Sequence, residues 1–416
     1  HKEYMYKKNF SKKPFQKSAP SRHGSSFRAH GGQRGGQRGG QRQQMRSQRI
    51  DVSKFINKAV ITEKVEHFVP EHKFEDFKIH QQIKANIAAK GYTMPTPIQD
   101  RTIPHILRGS DVVGIANTGT GKTGAFLIPL INKVMTDPKE NVLIVVPTRE
   151  LAIQINEELK EFSKHTNIHS VCCVGGAHIG QQISGLRRAH RFVIGTPGRL
   201  KDLIKRKVLD LARFKSVVLD EADRMLDMGF LPDMRFMMAC LPKERHTLFF
   251  SATLSREIET LIKEFLREPV SISVKTQDTA KNVDQDVVRV KRGDEKLDIL
   301  HDLLIQPEFS KVLIFGKTKH GVENLSKLLV KRGFKAESIH GDKNQSKRQK
   351  ALGLFKDNRA QILVATDVAA RGLDISGISH VINYDIPATY DDYVHRIGRT
   401  GRAGKKGKAL TFVEHK

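Results

Sequence analysis

The decapeptide Ile115-Ala-Asn-Thr-Gly-Thr-Gly-Lys-Thr-Gly124 sets a Lys-Thr pair behind two glycines spaced by one residue. Gly119 and Gly121 let the backbone curl until its N–H groups converge on an anion. A helix opening there adds the partial positive charge of its N-terminus. Lys122 then reaches the outer phosphates of a nucleotide, and the Thr123 hydroxyl is a ligand for Mg²⁺. Ala116, Asn117, Thr118 and Thr120 complete the loop, with Ala116 standing where the general GxxxxGK[ST] pattern has its first glycine. A purely structural Gly turn does not explain the Lys-Thr pair.

A second stretch, Ser216-Val-Val-Leu-Asp-Glu-Ala-Asp-Arg-Met225, ends an apolar run in two adjacent carboxylates. A buried strand that ends in acids needs a positive object beside it. This strand is expected to neighbour the one before the phosphate loop, at the same carboxyl edge of the sheet, so that object is the Mg²⁺ of a bound nucleotide. Asp220 would hold the ion, partly through water. Glu221 would orient and deprotonate the attacking water. The pair is weak evidence alone and strong evidence beside the loop.

These residues need a scaffold that brings strand ends together. Short apolar runs without polar alternation recur at 112–116, 142–146, 171–174, 192–194, 217–219 and 248–250, separated by helical stretches such as Arg149–Phe162. That is the signature of strands buried on both faces of a parallel sheet. A polar stretch follows, then a second set of runs at 312–315, 337–339, 362–365, 381–383 and 409–413. The chain therefore reads as α/β, with two tandem doubly wound parallel-sheet domains. The expected boundaries are a pre-core segment at 51–73, a first domain at 74–274, a flexible linker at 275–286 and a second domain at 287–416. The order of strands within each sheet does not follow from this pattern.

With 416 residues the chain exceeds the ~250–300 at which single cores stop growing. Its formal net charge is +27, of which +12 lies in residues 1–50 and +15 in the rest. A basic body remains without the tail, which favours a polyanionic partner through counterion release. Residues 1–50 contain GGQR three times in succession at 31–42 and little apolar content. Burial cannot offset their chain entropy, so they read as a disordered basic arm able to touch RNA loosely. Cys172, Cys173 and Cys240 have neither disulfide-framework nor zinc spacing. No apolar run approaches ~18 residues, which suggests a soluble cytoplasmic protein.

Asp220-Glu-Ala-Asp223 spells DEAD, and from residue 74 to 413 the chain resembles the DEAD-box RNA helicases of superfamily 2, with motifs in the family's order. The compact core looks closest to bacterial members. The resemblance implies two RecA-like domains, ATP and Mg²⁺ as cofactors and RNA as partner. Phe74 stands 17 residues before Gly91-Tyr-Thr-Met-Pro-Thr-Pro-Ile-Gln99, which is similar to the family's adenine-reading motif. It implies that Gln99 reads the adenine edge while Phe74 stacks on it. Pro147-Thr-Arg-Glu-Leu-Ala152, Gly175-Gly176 and Thr196-Pro-Gly-Arg199 match RNA-contact motifs, implying RNA-binding roles for Arg149, Gly176, Thr196 and Arg199. Ser251-Ala-Thr253 resembles the motif that couples hydrolysis to strand separation, which marks Ser251 and Thr253.

In the second domain Phe315-Gly-Lys-Thr318 resembles the opening motif. Gln345 and Arg348, within His340–Arg348, are expected to touch RNA. The run 365–374 resembles the motif that serves both ligands, with Thr366 on RNA phosphate and Gly372 and Asp374 at the ATP site. In His395-Arg-Ile-Gly-Arg-Thr-Gly-Arg402 the arginines stand three apart, and the domain has no phosphate loop of its own. The resemblance implies that Arg399 and Arg402 are catalytic fingers on the γ-phosphate and that Arg396 is structural. ATP would then bridge two loosely tethered domains, so that closure on ATP and RNA unwinds short duplexes. The same motifs serve an ATP-dependent RNA clamp. The fold alone also accommodates a DNA translocase, and the arm a condensate-forming RNA-binding protein.

Overall fold

Alternation along each strand decides which side of the sheet a residue faces. In β1 (Val112–Ala116), Val112 and Ala116 join one buried cluster, and Val113 and Ile115 join another on the opposite face. This computed structural model describes residues 51–57, 68–117, 119–274, 283–291, 295–370, 375–401 and 407–414. The arm at 1–50, most of the linker, Thr118, Gly372, Asp374 and Arg402 lie outside the described residues.

The first lobe continues with β2 (Val142–Val145), β3 (Ser170–Cys173), β4 (Phe192–Gly195), β5 (Ser216–Leu219), β6 (His246–Ser251) and β7 (Val270–Val274). Their order across the sheet is β3-β4-β2-β5-β6-β1-β7, with every pairing parallel. The second lobe contains β8 (Val283–Val290), β9 (Val312–Phe315), β10 (Ala336–Ile339), β11 (Ile362–Ala365), β12 (His380–Asn383) and β13 (Gly407–Glu414). Its order is β10-β11-β9-β12-β13-β8, again parallel. Here too alternate residues divide between two cores, with Val312 and Ile314 on one face and Leu313 and Phe315 on the other. Among the described residues no helix is long and apolar enough to cross a membrane.

Three features differ from the sequence reading. β5 does not adjoin β1, because β6 lies between them. The apolar-run criterion passes over β7 and β8, both edge strands whose sequences, VSISV and VDQDVVRV, carry polar residues on a partly exposed face. Residues 283–286, assigned to the linker, accordingly pair in β8 against Gly407–Leu410 of β13. The segment 51–57 also sits on the second sheet, although it precedes the first lobe in the chain: Asn57 forms an antiparallel bridge with Gln285.

Two strand-opening histidines make acid stability predictable. His246 has its ring Nε2 2.7 Å from the Ser110 carbonyl and Nδ1 3.5 Å from Lys133 Nζ. His380 stacks on Phe309 at 3.9 Å between ring centroids. Burial, reinforced by Lys133 and Lys408 respectively, pushes each imidazole down to about 4. The unfolded chain takes up these protons near 6.5 and the folded chain does not. Stability is therefore lost as pH falls from about 6.5 toward 4, by at most about 3 kcal/mol per histidine. His380→Phe keeps an aromatic partner for Phe309 and removes one proton site. The urea midpoint of that variant falls less between pH 7 and pH 4.5 than that of the parent, and parallel declines would rule out His380 as a contributor.

Candidate active site

The phosphate loop leaves β1 and turns into the helix Lys122–Thr136. Gly119 and Gly121 both take positive φ, +82° and +95°, as the left-handed turn requires. A Cβ on Gly121 would lie 2.6 Å from Thr96 Oγ1 and 2.7 Å from Gln99 Nε2. The glycine thus serves both conformation and close approach. Gln99 Oε1 accepts the Thr96 N–H at 3.0 Å in a capping box, while its Nε2 donates to the Gly121 carbonyl at 3.0 Å. The amide expected on adenine is here a brace on the phosphate loop. Lys122 is buried, and its Nζ donates to the Ala116 carbonyl at 2.9 Å, folded back on the strand end. Thr120 Oγ1 closes the turn on the Asn117 carbonyl at 2.8 Å.

Across β6, the carboxyl end of β5 delivers the acid pair. Asp220 donates its N–H to the Val145 carbonyl at 3.0 Å, and its Oδ1 accepts the Glu221 N–H at 2.9 Å. Glu221 is buried with φ +51°, an uncommon conformation for a non-glycine residue and one that clusters at functional sites. Its Oε2 has no hydrogen-bond partner among the described residues and stands 3.7 Å from Arg224 Nε. Burial pushes the Asp220 carboxyl up to about 6, while Lys122 pulls it back down. Two buried carboxylates beside a lysine suit a bound cation. Among the described residues no three His, Cys, Asp or Glu could hold a metal by themselves. An oxygen-only donor set of Asp220 and Thr123 fits Mg²⁺, which takes its other ligands from phosphate and water.

Loop and acids line one cavity of about 400 Å³, together with Gln99, Thr123, Met94 and Gln154. Phe74 is buried against Phe77 and Tyr92 and lines an adjoining groove; Tyr92, Thr93 and Met94 border both spaces. No sequence pattern singles out Asp223, because an acid in a helix's first turn is usually solvated. Its Oδ2 accepts the N–H groups of Ala252 and Thr253, at 3.1 and 3.0 Å, and the Thr253 hydroxyl at 3.1 Å. Ser251 Oγ, fully buried, donates to the Thr253 carbonyl at 2.8 Å. The DEAD segment and Ser251–Thr253 are thereby one hydrogen-bonded unit.

The polar strand ends of β2, β3 and β4 meet on another part of the first lobe. Gly176, at φ +75°, passes beneath Arg149, where any Cβ would collide with the guanidinium. Arg199 Nη1 reaches the Ala177 carbonyl at 3.4 Å. Thr196 caps the helix Pro197–Lys205 through its backbone, with no side-chain capping bond. In the second lobe, Thr366 accepts the Ala369 and Ala370 N–H groups on its carbonyl. Gln345 is buried, and both its amide atoms lack hydrogen-bond partners among the described residues.

Arg348, expected on RNA, makes an ion pair with the first lobe in this structure. Its Nη2 lies 2.7 Å from Glu150 Oε2, and both residues are buried, so the arginine joins the second lobe to the motif after β2. Arg396 is fully enclosed: Nε and Nη2 donate to Asp367 at 2.5 and 2.7 Å, and Nη1 donates to Asn383 Oδ1 and the Asp385 carbonyl. Arg399 lies just past the helix Tyr390–Ile397 and lines a narrow cleft with Arg224, Asp367, Asp392 and Arg396. That cleft sets the second-lobe arginines against the residue that follows Asp220-Glu-Ala-Asp223.

The family model "DEAD/DEAH box helicase" matches residues 96–261, and "Helicase conserved C-terminal domain" matches 295–404. The ATP-dependent RNA helicase CshA of Limosilactobacillus reuteri is 48% identical over 343 residues, covering 82% of this chain and 69% of its own length. The CshA protein of Listeria monocytogenes is 46% identical, with 82% and 66% covered. This chain therefore spans about two thirds of the length of these relatives. Among solved structures, Saccharomyces cerevisiae Dbp5 bound to RNA and ADP BeF3 matches with a TM-score of 0.73 and 31% identity, over 82% of this chain and 90% of that one.

Proposed function

The chain belongs to the DEAD/DEAH box helicase family, and from that premise we propose that it is an ATP-dependent RNA helicase that separates short duplexes or remodels RNA–protein complexes locally. The observation that carries this reading is the pair of contacts between lobes. Arg348 meets Glu150, and Arg399 shares a cleft with Arg224, so second-lobe arginines reach one RNA-side and one nucleotide-side motif of the first.

The phosphate loop, with Lys122, binds the triphosphate. Asp220 and Thr123 are the residues that would hold Mg²⁺, which supplies charge neutralisation on the phosphates. Glu221 takes the proton of the attacking water. Asp223 passes the state of this site to Ser251–Thr253 through its three hydrogen bonds. Arg399, with Arg402 beyond it, completes the charge on the transferring phosphoryl group. Arg149, Gly176, Thr196 and Arg199 hold RNA by its sugar–phosphate backbone, and Thr366 and Gln345 do so from the other lobe. Because closure serves both ligands, ATP and RNA tighten each other equally. The lobes run over 74–274 and from 283 onward, and the bacterial relatives support action in the cytoplasm.

The test is steady-state ATPase with and without single-stranded RNA and with DNA of the same sequence. Turnover rises at least ten-fold with RNA and much less with DNA. A rate indifferent to saturating RNA would reject the coupling.

A further inference from the structure

Residues 51–57 pack against a single place on the second lobe. Val52–Phe55 forms one turn, capped by Asp51 Oδ1 accepting the Ser53 N–H at 3.0 Å. Phe55 is fully buried in a cluster with Val283, Tyr393, Ile397 and Ala409. Its ring centroid is 4.7 Å from that of Tyr393. Lys54 Nζ lies 5.5 Å from the Tyr390 ring centroid, within cation–π range. Asn57 exchanges both backbone hydrogen bonds with Gln285, at 3.0 and 2.8 Å, on the outer edge of β8. The Gln285 side chain in turn accepts the Tyr393 hydroxyl at 2.9 Å.

Tyr390, Tyr393 and Ile397 all belong to the helix Tyr390–Ile397, which also carries Arg396 and leads directly to Arg399. This helix has eight residues, too few to persist without packing. Tyr393 and Ile397, four apart, form one helical face, and Phe55 covers it. A segment that only blunted the sheet edge would spread along β8. This one makes a single bridge to β8 and spends its aromatic and cationic side chains on the arginine-bearing helix.

We infer that residues 51–57 are a clasp that sets the position of the helix Tyr390–Ile397 for hydrolysis, with Phe55 as its positioning residue, an inference that rests on the role proposed for Arg399. Phe55 lines neither the phosphate-loop cavity nor the Arg399 cleft. It acts through Tyr393 and Ile397 on where the following arginine stands, so its loss lowers the rate of the chemical step more than the affinity for ATP.

The experiment uses the full chain with Phe55→Ala, Phe55→Leu, Asn57→Pro and Arg399→Ala. It reads RNA-stimulated kcat and KM for ATP, circular dichroism, and hydrogen exchange over residues 389–401. Phe55→Ala lowers kcat about ten-fold and moves KM less than two-fold, while Phe55→Leu restores most of the rate. Asn57→Pro removes an exposed backbone donor without opening the core, lowers kcat less, and raises exchange in the same helix. Phe55→Ala at parental kcat overturns the clasp. So does a loss that appears only with unfolding of the second lobe while Asn57→Pro turns over normally. Parental turnover in Arg399→Ala defeats the finger reading and this inference with it. Lost turnover in Arg399→Ala beside normal Phe55→Ala defeats the clasp alone.

Discussion

Glu221→Gln lowers RNA-stimulated turnover by about 10³-fold, roughly 4 kcal/mol of barrier, while ATP and RNA binding persist. The substitution keeps the side-chain shape and removes the negative charge, and with it the capacity to take a proton and the ion pair with Arg224. Glu221 is buried and lines the cavity, and its Oε2, 3.7 Å from Arg224 Nε, makes no hydrogen bond among the described residues. Nucleotide affinity rests on the phosphate loop across β6, which the change does not touch. The expected product is a closed, RNA-retaining enzyme that turns over very slowly. Single-turnover hydrolysis beside a fluorescent-nucleotide titration reads both quantities. Hydrolysis by this variant at the parental rate would exclude Glu221 as the base.

Arg399→Ala also loses about 10³-fold or more in kcat, the low end of the range for a finger supplied from another domain. Affinity for ATP changes by only a few-fold. The cleft that Arg399 lines holds three guanidinium groups, Arg224, Arg396 and Arg399, against two carboxylates, Asp367 and Asp392. Arg396 is already matched by both oxygens of Asp367. A guanidinium delivered from the second lobe suits an anion whose charge grows in the transition state. Comparing kcat with ATP affinity separates the roles: equal losses in both would mean that Arg399 only assists binding.

Much of the chemistry was legible because it is written in contiguous residues. The Gly119–Thr123 loop and the Asp220-Glu221 pair need only local geometry: a glycine turn, a helix start, a strand end. The strands were legible where both faces are covered, since most such runs carry few polar residues. β7 and β8 escaped for the opposite reason. An edge strand keeps one face partly wet, and its alternating sequence resembles a linker.

What only the tertiary structure decided is which distant residues meet. Arg348 and Glu150 are buried together, Asp223 holds Thr253, Gln99 braces Gly121, and β6 separates the phosphate loop from the acids. Phe55, an ordinary aromatic after a low-complexity arm, joins a helix more than three hundred residues away. Sequence by itself determined the fold class, the phosphate loop and its acidic partner, because backbone conformation and strand burial depend on near neighbours. It left open the strand order and the contacts between lobes. Those follow from how buried surfaces and long-range charge pairs are satisfied together, which no local pattern encodes.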